Sequence, residues 1–128
     1  MITQVTKGIK VSVKTSFEGT FFKNYKVHYA FRYTITIENL CEGPVKLYAR
    51  HWDIFDALKE FESFDGEGVI GLKPVIRPKR SYSYKSGCLL ASPIGTMKGY
   101  YNMMNLGTSE KFKVIVPSFK LVAPFVIN

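Results

Sequence analysis

Residues 27–38 read VHYAFRYTITIE, and apolar and polar side chains alternate through the whole stretch. A period of two sends successive side chains to opposite faces of a β-strand. The apolar positions are β-branched or aromatic, which suits a pleated surface with one face in a core. They are Val27, Tyr29, Phe31, Tyr33, Ile35 and Ile37. The stretch therefore predicts one long, half-buried strand.

The same period recurs on both sides of this stretch. Alternating segments lie at residues 9–13, 82–88, 97–104, 111–116 and 119–127. About seven or more short strands, with turns between them and no helical segment, predict an all-β fold. We expect a single domain over residues 1–128, built as an immunoglobulin-like or fibronectin type III-like antiparallel β-sandwich. The last alternating segment is expected to extend along the domain, or to pair with a second copy of the chain as a homodimer.

The strand that follows residues 27–38 contains one break in phase. Val45 and Leu47 share one face, whereas Trp52 and Ile54 are displaced from that phase by one residue. An extra residue flips the facing of everything after it, so a β-bulge within residues 48–51 would place both pairs in the core.

Four further segments carry turn or edge signals. Residues 21–25 (FFKNY) predict a loop, and residues 56–59 predict a tight connection or a single helical turn before a short strand at 60–64. Residues 65–71 are rich in glycine and predict a loop. Two prolines confine residues 73–78 to an edge segment or an extended connection.

Charge is segregated along a chain whose formal net charge is +8. Six of the ten acids fall between residues 53 and 67, and residues 68–109 contain none. A cationic surface keeps a protein soluble, and it also attracts an acidic or phosphate-bearing ligand. We expect the first role and keep the second as an alternative.

The sequence also predicts where in the cell the protein is located. No apolar run approaches the roughly 20 residues of a membrane-spanning helix, and residues 1–7 lack the apolar core of a secretory signal. We therefore expect a cytoplasmic protein with no membrane partner. Cys41 and Cys88, the only cysteines, are expected to be reduced there. The alternative is a disulfide between them.

The run GEGVIG at residues 66–71 has the spacing of a dinucleotide-binding loop. In such loops the glycines follow a strand and open a helix whose amides hold the pyrophosphate. Residues 72–74 (LKP) cannot continue as a useful helix, and no βαβ pattern surrounds them. We therefore predict a loop of the sandwich. The alternative is an anion site formed by Gly66, Glu67, Gly68, Gly71 and Lys73, with backbone amides as donors.

Ionisable and nucleophilic residues offer no recognisable catalytic centre. His51 and Asp53 share a strand face, but a third metal ligand is not evident, so with Asp56 they are only weak candidates for a cation. We expect Arg50 to pair with Asp53 or Asp56 instead. Residues 86–88 (SGC) lie inside a predicted strand without a nucleophile motif. We predict no catalytic residues, no cofactor and no enzymatic activity.

Aromatic residues mixed with basic ones are the stronger lead. Phe21, Phe22 and Tyr25 lie in a predicted loop flanked by lysines. Such groups anchor protein interfaces or stack on nucleobases. Together with Arg50 they form our predicted partner surface, and a protein is the first expected partner. The alternative is that the aromatic side chains cover an open end of the sandwich.

Four ordered motifs resemble the ApaG family. They are Arg50-His51-Trp52-x-Ile54-x-Asp56, the 66–71 run with Pro74, the run from Tyr84-x-Ser86-Gly87-Cys88 to Met103, and Pro117-x-Phe119-x-Leu121. The resemblance covers nearly the whole chain and implies a fibronectin type III-like sandwich.

The resemblance also implies functions. Bacterial members are standalone proteins whose genes often neighbour a diadenosine-tetraphosphate hydrolase gene, and the family is linked to cobalt resistance and magnesium efflux. Related domains occur in F-box proteins, where they are thought to recruit substrates, and in a DNA-polymerase-delta-interacting protein. Protein–protein recognition is therefore the first expectation. Nucleotide or diadenosine-polyphosphate binding at residues 66–71, or a role in cobalt and magnesium homeostasis, are the alternatives.

Overall fold

The fold is described by a computed structural model that covers residues 1–58 and 61–126. Over these residues the chain forms nine strands and one turn of 3-10 helix. The strands are β1 (Ile2–Thr6), β2 (Ile9–Lys23), β3 (Lys26–Asn39), β4 (Val45–Asp56), β5 (Glu62–Glu67), β6 (Val75–Ile76), β7 (Ser81–Leu90), β8 (Ile94–Asn105) and β9 (Lys111–Val122). The 3-10 helix spans Pro124–Val126 and corrects the expectation of no helical segment. None of the helical structure described is long and apolar enough to cross a membrane.

Two antiparallel sheets form the predicted all-β sandwich. Sheet A has the order β1-β2-β3-β7, and sheet B has the order β5-β4-β8-β9 with β6 paired to β4. The alternation of residues 27–38 is confirmed, because Phe31, Tyr33, Ile35 and Ile37 of β3 are all buried in the core between the sheets. β1 escaped prediction because its residues are largely exposed and carry no inward apolar face.

The predicted bulge in β4 is confirmed. Leu47 pairs with Met103 and Ala49 with Asn102, which leaves Tyr48 as the extra residue. The change of phase places Leu47 and Trp52 on the same buried face. The strand can therefore keep both of its apolar halves in the core.

Two predicted loops are partly strand instead. Residues 65–67 complete β5, so the short strand predicted at 60–64 lies too early, and residue 60 falls outside the described residues. Residues 21–23 complete β2, and only Asn24 and Tyr25 form the turn to β3. Both errors have one cause. These strand ends are exposed on both faces, so no buried face imposes an alternating pattern on their sequence.

The predicted tail is mostly the second half of β9. Phe119 and Leu121 are buried, which places this segment along the domain as expected. Met97 pairs with Phe119 and Gly99 with Val116, so a second bulge accommodates Pro117, which has no N–H to give to the ladder. Residue 127 lies outside the described residues. Cys41 and Cys88 are both free thiols.

Candidate functional site

The β2–β3 hairpin extends beyond the rest of sheet A as a two-stranded ribbon. β7 pairs with β3 only from Tyr29 to Glu38, and β1 pairs with β2 only from Ile9 to Val13. In the described structure, residues 21–23 and 26–28 therefore pair only with each other. All residues from 20 to 27 are exposed.

The tip of this ribbon carries the predicted aromatic residues. Phe22 and Tyr25 are 68% and 94% exposed. Phe21 stacks on His28 across the ribbon, with ring centroids 5.4 Å apart. Asn24 and Tyr25 have φ angles of 52° and 62°. Positive φ at both central residues is typical of a type I′ hairpin turn, a conformation that favours glycine or asparagine and strains a tyrosine.

Arg50 does not belong to this surface. It lies on β4 of the other sheet, where its Nη1 donates to the carbonyl oxygens of Glu67 and Gly68, both at 2.8 Å. The expected ion pair with Asp53 or Asp56 is also wrong, since no salt bridge of Arg50 occurs within residues 1–58 and 61–126.

The Arg50 guanidinium lies against Gly66. A Cβ atom on this glycine would approach the Arg50 Cζ to 2.7 Å, closer than any packed contact allows. Gly66 is in β5 and needs no unusual φ. The lack of space for a side chain between its Cα and Arg50 therefore accounts for the glycine. The cross-strand pairing of Arg50 with Gly66 puts the two residues together.

The rest of the glycine run is a tight loop of the sandwich. Ile70 and Gly71 have φ angles of 47° and 74° and form a two-residue turn, in which Val69 and Leu72 exchange hydrogen bonds of 2.8 and 3.0 Å. A Cβ on Gly68, whose φ is 60°, would lie 2.1 Å from the Leu72 carbonyl oxygen. Backbone geometry therefore accounts for the glycines.

The donors expected to hold an anion at this loop are partly engaged. The Gly68 amide donates to the Tyr48 carbonyl at 2.8 Å, and the Val69 amide donates within the turn. Lys73 Nζ lies 3.4 Å from a carboxylate oxygen of Glu67. Pyrophosphate binding by these amides stays a prediction that the local hydrogen bonding does not favour.

A cleft of about 350 Å³ opens beside the loop, between the two sheets. It is lined by Tyr33, Arg50, Trp52, Glu67, Val69, Ile70, Gly71, Tyr84 and Ser86. Burial raises the pKa of Tyr33 and, more strongly, that of Tyr84, although the nearby Arg50 charge acts in the opposite direction. The tyrosines therefore stay neutral, and Arg50 is the positive charge in the wall.

Most of this cleft was missed by the sequence analysis. Tyr33, Trp52 and Tyr84 occupy inward strand positions, and the alternating pattern assigns such residues to the core. The available signals were Arg50, a charged residue just after the phase break in β4, and Glu67 and Gly71 of the predicted anion loop. No sequence pattern indicated that β4 and β7 enclose a space there.

His51 lies at the centre of a polar network on the outer face of sheet B. Its Nδ1 is 2.6 Å from Asp65 and its Nε2 is 2.9 Å from Asp53, which also accepts a 2.7 Å hydrogen bond from Ser63. The ring stacks on Tyr100 at 4.9 Å. The Asp65 hydrogen bond, helped by Asp53, raises the pKa of His51 against the opposing effect of desolvation.

This network does not bring together His51, Asp53 and Asp56, the three weak candidates for a cation. Both ring nitrogens of His51 face carboxylates, whereas a metal ligand must offer a free lone pair. Asp56 lies elsewhere and is buried, where it accepts hydrogen bonds from the Ala91 amide and the Ser92 hydroxyl. The described residues contain no group of three or more potential ligands arranged around a metal position. Asp65 was missed because its pairing opposite His51 depends on the register of β5.

Comparisons with known proteins agree with the fold. A family model described as the ApaG domain matches residues 20–105. Protein ApaG of Shewanella sediminis is 41% identical over 127 residues, which cover 99% of this chain and 100% of that protein. The crystal structure of the putative ApaA protein from Bordetella pertussis has a TM-score of 0.83 at 33% identity and covers 91% of this chain and 94% of its own. A structural-genomics X-ray structure reaches a TM-score of 0.86 at 40% identity, covering 91% and 88%. This chain therefore belongs to the ApaG domain family.

Proposed function

We propose that this protein is a non-enzymatic binding module that recognises a protein partner through the tip of the β2–β3 ribbon. The observation that carries the proposal is Tyr25. This large aromatic residue is 94% exposed and occupies a turn position with φ of 62°. Strained residues at exposed positions are more often retained for function than for stability.

The rest of the ribbon supports the same proposal. Phe22 and Val27 are exposed and form the second cross-strand pair from the turn. Contiguous exposed apolar groups typically mark interaction sites. Lys23 and Lys26 pair at the base of the turn, so the partner surface should combine an apolar pocket with acidic groups. A protein offers both features.

The chemistry of the potential nucleophiles supports a role without catalysis. Burial raises the pKa of the Cys88 thiol to about 11, which keeps it protonated and a poor nucleophile. The Ser63 hydroxyl donates to Asp53, whose pKa this hydrogen bond lowers, so the carboxylate is a weak base for activating the hydroxyl. The free thiols of Cys41 and Cys88 suit a reducing compartment, so we place the recognition in the cytoplasm.

Site-specific photo-crosslinking tests the proposal. A photoreactive phenylalanine analogue is placed at position 25 or, as the control, at position 64, where Phe64 is 49% exposed on the edge strand β5. We expect a discrete cross-linked protein from position 25 only, and its loss when Phe22→Ala is added. The captured protein is then purified and its affinity for the unmodified chain is measured.

Tyr25→Gly separates recognition from folding. Glycine relieves the strain at positive φ, so this variant should unfold at an equal or higher urea concentration while its affinity for the purified partner falls at least about tenfold, the usual loss for an aromatic anchor. Unchanged affinity would remove the ribbon tip from the interface. A cross-link from position 25 to a second copy of the chain would make the ribbon a dimer contact instead.

A further inference from the structure

The Arg50 guanidinium is fixed in place but only partly used. Both of its side-chain hydrogen bonds within the described residues start from Nη1, and its flat group rests over Gly66. A guanidinium carries five N–H donors in a rigid fork, so Nε and Nη2 have donors left for another acceptor. Arg50 also lines the cleft between the sheets. The guanidinium is thus a cation that is held in a fixed orientation at the wall of a cleft, with N–H donors that can bind an anion.

We infer that this cleft binds a carboxylate carried on an apolar or aromatic stem, with Arg50 as its anchor. This site is separate from the ribbon tip and does not depend on the function proposed there. The loop amides are not needed for it. The loop instead contributes the carbonyl oxygens of Glu67 and Gly68, which hold the guanidinium in position.

Charge balance favours a carboxylate over a phosphate. Arg50 is the only cationic side chain among the lining residues, and Lys73 nearby is paired with Glu67. Glu67 itself lines the cleft, and Lys73 balances its charge. One guanidinium matches a singly charged, planar carboxylate, with which it forms two parallel hydrogen bonds. A phosphate dianion carries two negative charges, of which the single guanidinium balances only one.

The remaining walls favour an apolar stem. Trp52, Tyr33 and Tyr84 are at most 8% exposed and present aromatic surface, and Val69 and Ile70 close the loop side. A volume of about 350 Å³ is at the lower end of small-ligand pockets. The space suits one amino-acid-sized acid, whether a free metabolite or the last residue of a peptide.

Trp52 provides the readout because it is the only tryptophan in the chain and lines the cleft. The probes are N-acetylphenylalanine, its neutral amide and inorganic phosphate. We expect the acid to change Trp52 fluorescence saturably and to shift the NMR signal of the Arg50 Nε–H. The amide should bind at least about tenfold more weakly, the effect of losing one charge-assisted pair. A hexapeptide ending in phenylalanine separates the two sources, since tighter binding than the acid identifies a peptide end.

Substitutions of Arg50 test whether this residue binds the carboxylate. Arg50→Gln should weaken binding of the acid at least about tenfold, and Arg50→Lys should weaken it as well because lysine lacks the planar fork. The matched control is Arg77→Gln, at an exposed arginine outside the cleft. Phe22→Ala combined with Tyr25→Ala should bind the acid like the unmodified chain, so this test can fail independently of the ribbon proposal.

Three results would overturn the inference. They are equal affinity for the acid and the amide, tighter binding of phosphate than of the acid, and a Trp52 response without any shift of the Arg50 Nε–H signal. If Arg50→Gln does not fold, the shift in the unmodified chain decides the question alone.

Discussion

Gly66 lies directly against the guanidinium of Arg50, beside the cleft. An alanine at position 66 would push its Cβ into the guanidinium, whose two hydrogen bonds to carbonyl oxygens would be strained or lost. We expect Gly66→Ala to lower the free energy of unfolding by about 1–3 kcal/mol, the cost of disturbing charge-assisted hydrogen bonds. Urea unfolding measures the change.

A double-mutant cycle tests the stated cause. In an Arg50→Ala background the same Gly66→Ala substitution should cost almost nothing, because the obstructing group is gone. Gly71→Ala is the control. Its φ of 74° makes any side chain costly, but no heavy atom lies within 4 Å of its added Cβ. Its cost should therefore be the same in both backgrounds, and an equal cost of Gly66→Ala in both would contradict the pairing.

His51 makes stability depend on pH in a defined direction. Its pKa is raised above the unfolded value of 6.5, so the folded state holds the proton more tightly. The resulting stabilisation is complete below pH 6.5 and is lost as the pH rises through the higher folded-state pKa. Asp53 acts oppositely at low pH, because its pKa is lowered from 3.8 chiefly by the Ser63 hydrogen bond, and its contribution disappears on acidification.

The urea midpoint should therefore decline as the pH is raised above 6.5. His51→Gln should flatten this decline. Asp65→Asn should reduce it, since Asp65 is the largest cause of the raised pKa of His51. Glu110→Gln makes the same change in charge at an exposed position and should leave the slope intact. If the urea midpoint declines equally with pH in the unmodified chain and in His51→Gln, then His51 does not cause the pH dependence.

At the scale of strands, the sequence predicted best where one face is buried. The bulge at Tyr48 could be located because Val45, Leu47 and Trp52 must all face the core. The bulge at Pro117 was not predicted, since the proline was interpreted as an end of the strand. In the structure it lies between Val116 and Phe119, where the register shifts and the ladder does not require its N–H.

The β2–β3 ribbon marks where such reasoning fails. Alternation of apolar and polar residues results from contact with a core, and the exposed residues 20–27 do not contact the core. Adjacent Phe21 and Phe22 therefore resembled a loop, although they continue the ladder of β2. The sequence of the tip was still informative, because it combines aromatic and basic residues in one short exposed segment. The residues of the ribbon tip could be predicted, but the shape that presents them could not.

The cleft shows a related limit. Its residues come from both sheets, and each strand by itself gives them ordinary roles. Trp52 and Tyr84 are inward aromatic residues, Gly71 belongs to a glycine-rich run, and Arg50 lies next to a bulge. Their proximity depends on how sheet A faces sheet B, which single-strand patterns do not encode. The family resemblance supplied the sandwich but not this contact between its halves.

At the scale of the whole molecule, a buried contact between two tyrosine hydroxyls joins the two sheets. The hydroxyl of Tyr84 on sheet A is hydrogen-bonded to the hydroxyl of Tyr101 on sheet B, inside a core that is otherwise almost entirely apolar. Burial raises the pKa of both side chains. Each hydroxyl therefore depends on the other for its partner.

This dependence predicts an asymmetric double-mutant cycle. Tyr84→Phe should lower the free energy of unfolding by about 1–3 kcal/mol, because it leaves the hydroxyl of the fully buried Tyr101 without a partner. Tyr101→Phe should cost less, since Tyr84 borders the open cleft, where water can reach its hydroxyl. The double variant removes both hydroxyls, so it should be more stable than Tyr84→Phe alone. Urea unfolding of the four proteins measures the coupling, and strictly additive costs would mean that the two hydroxyls do not hold the sheets in register.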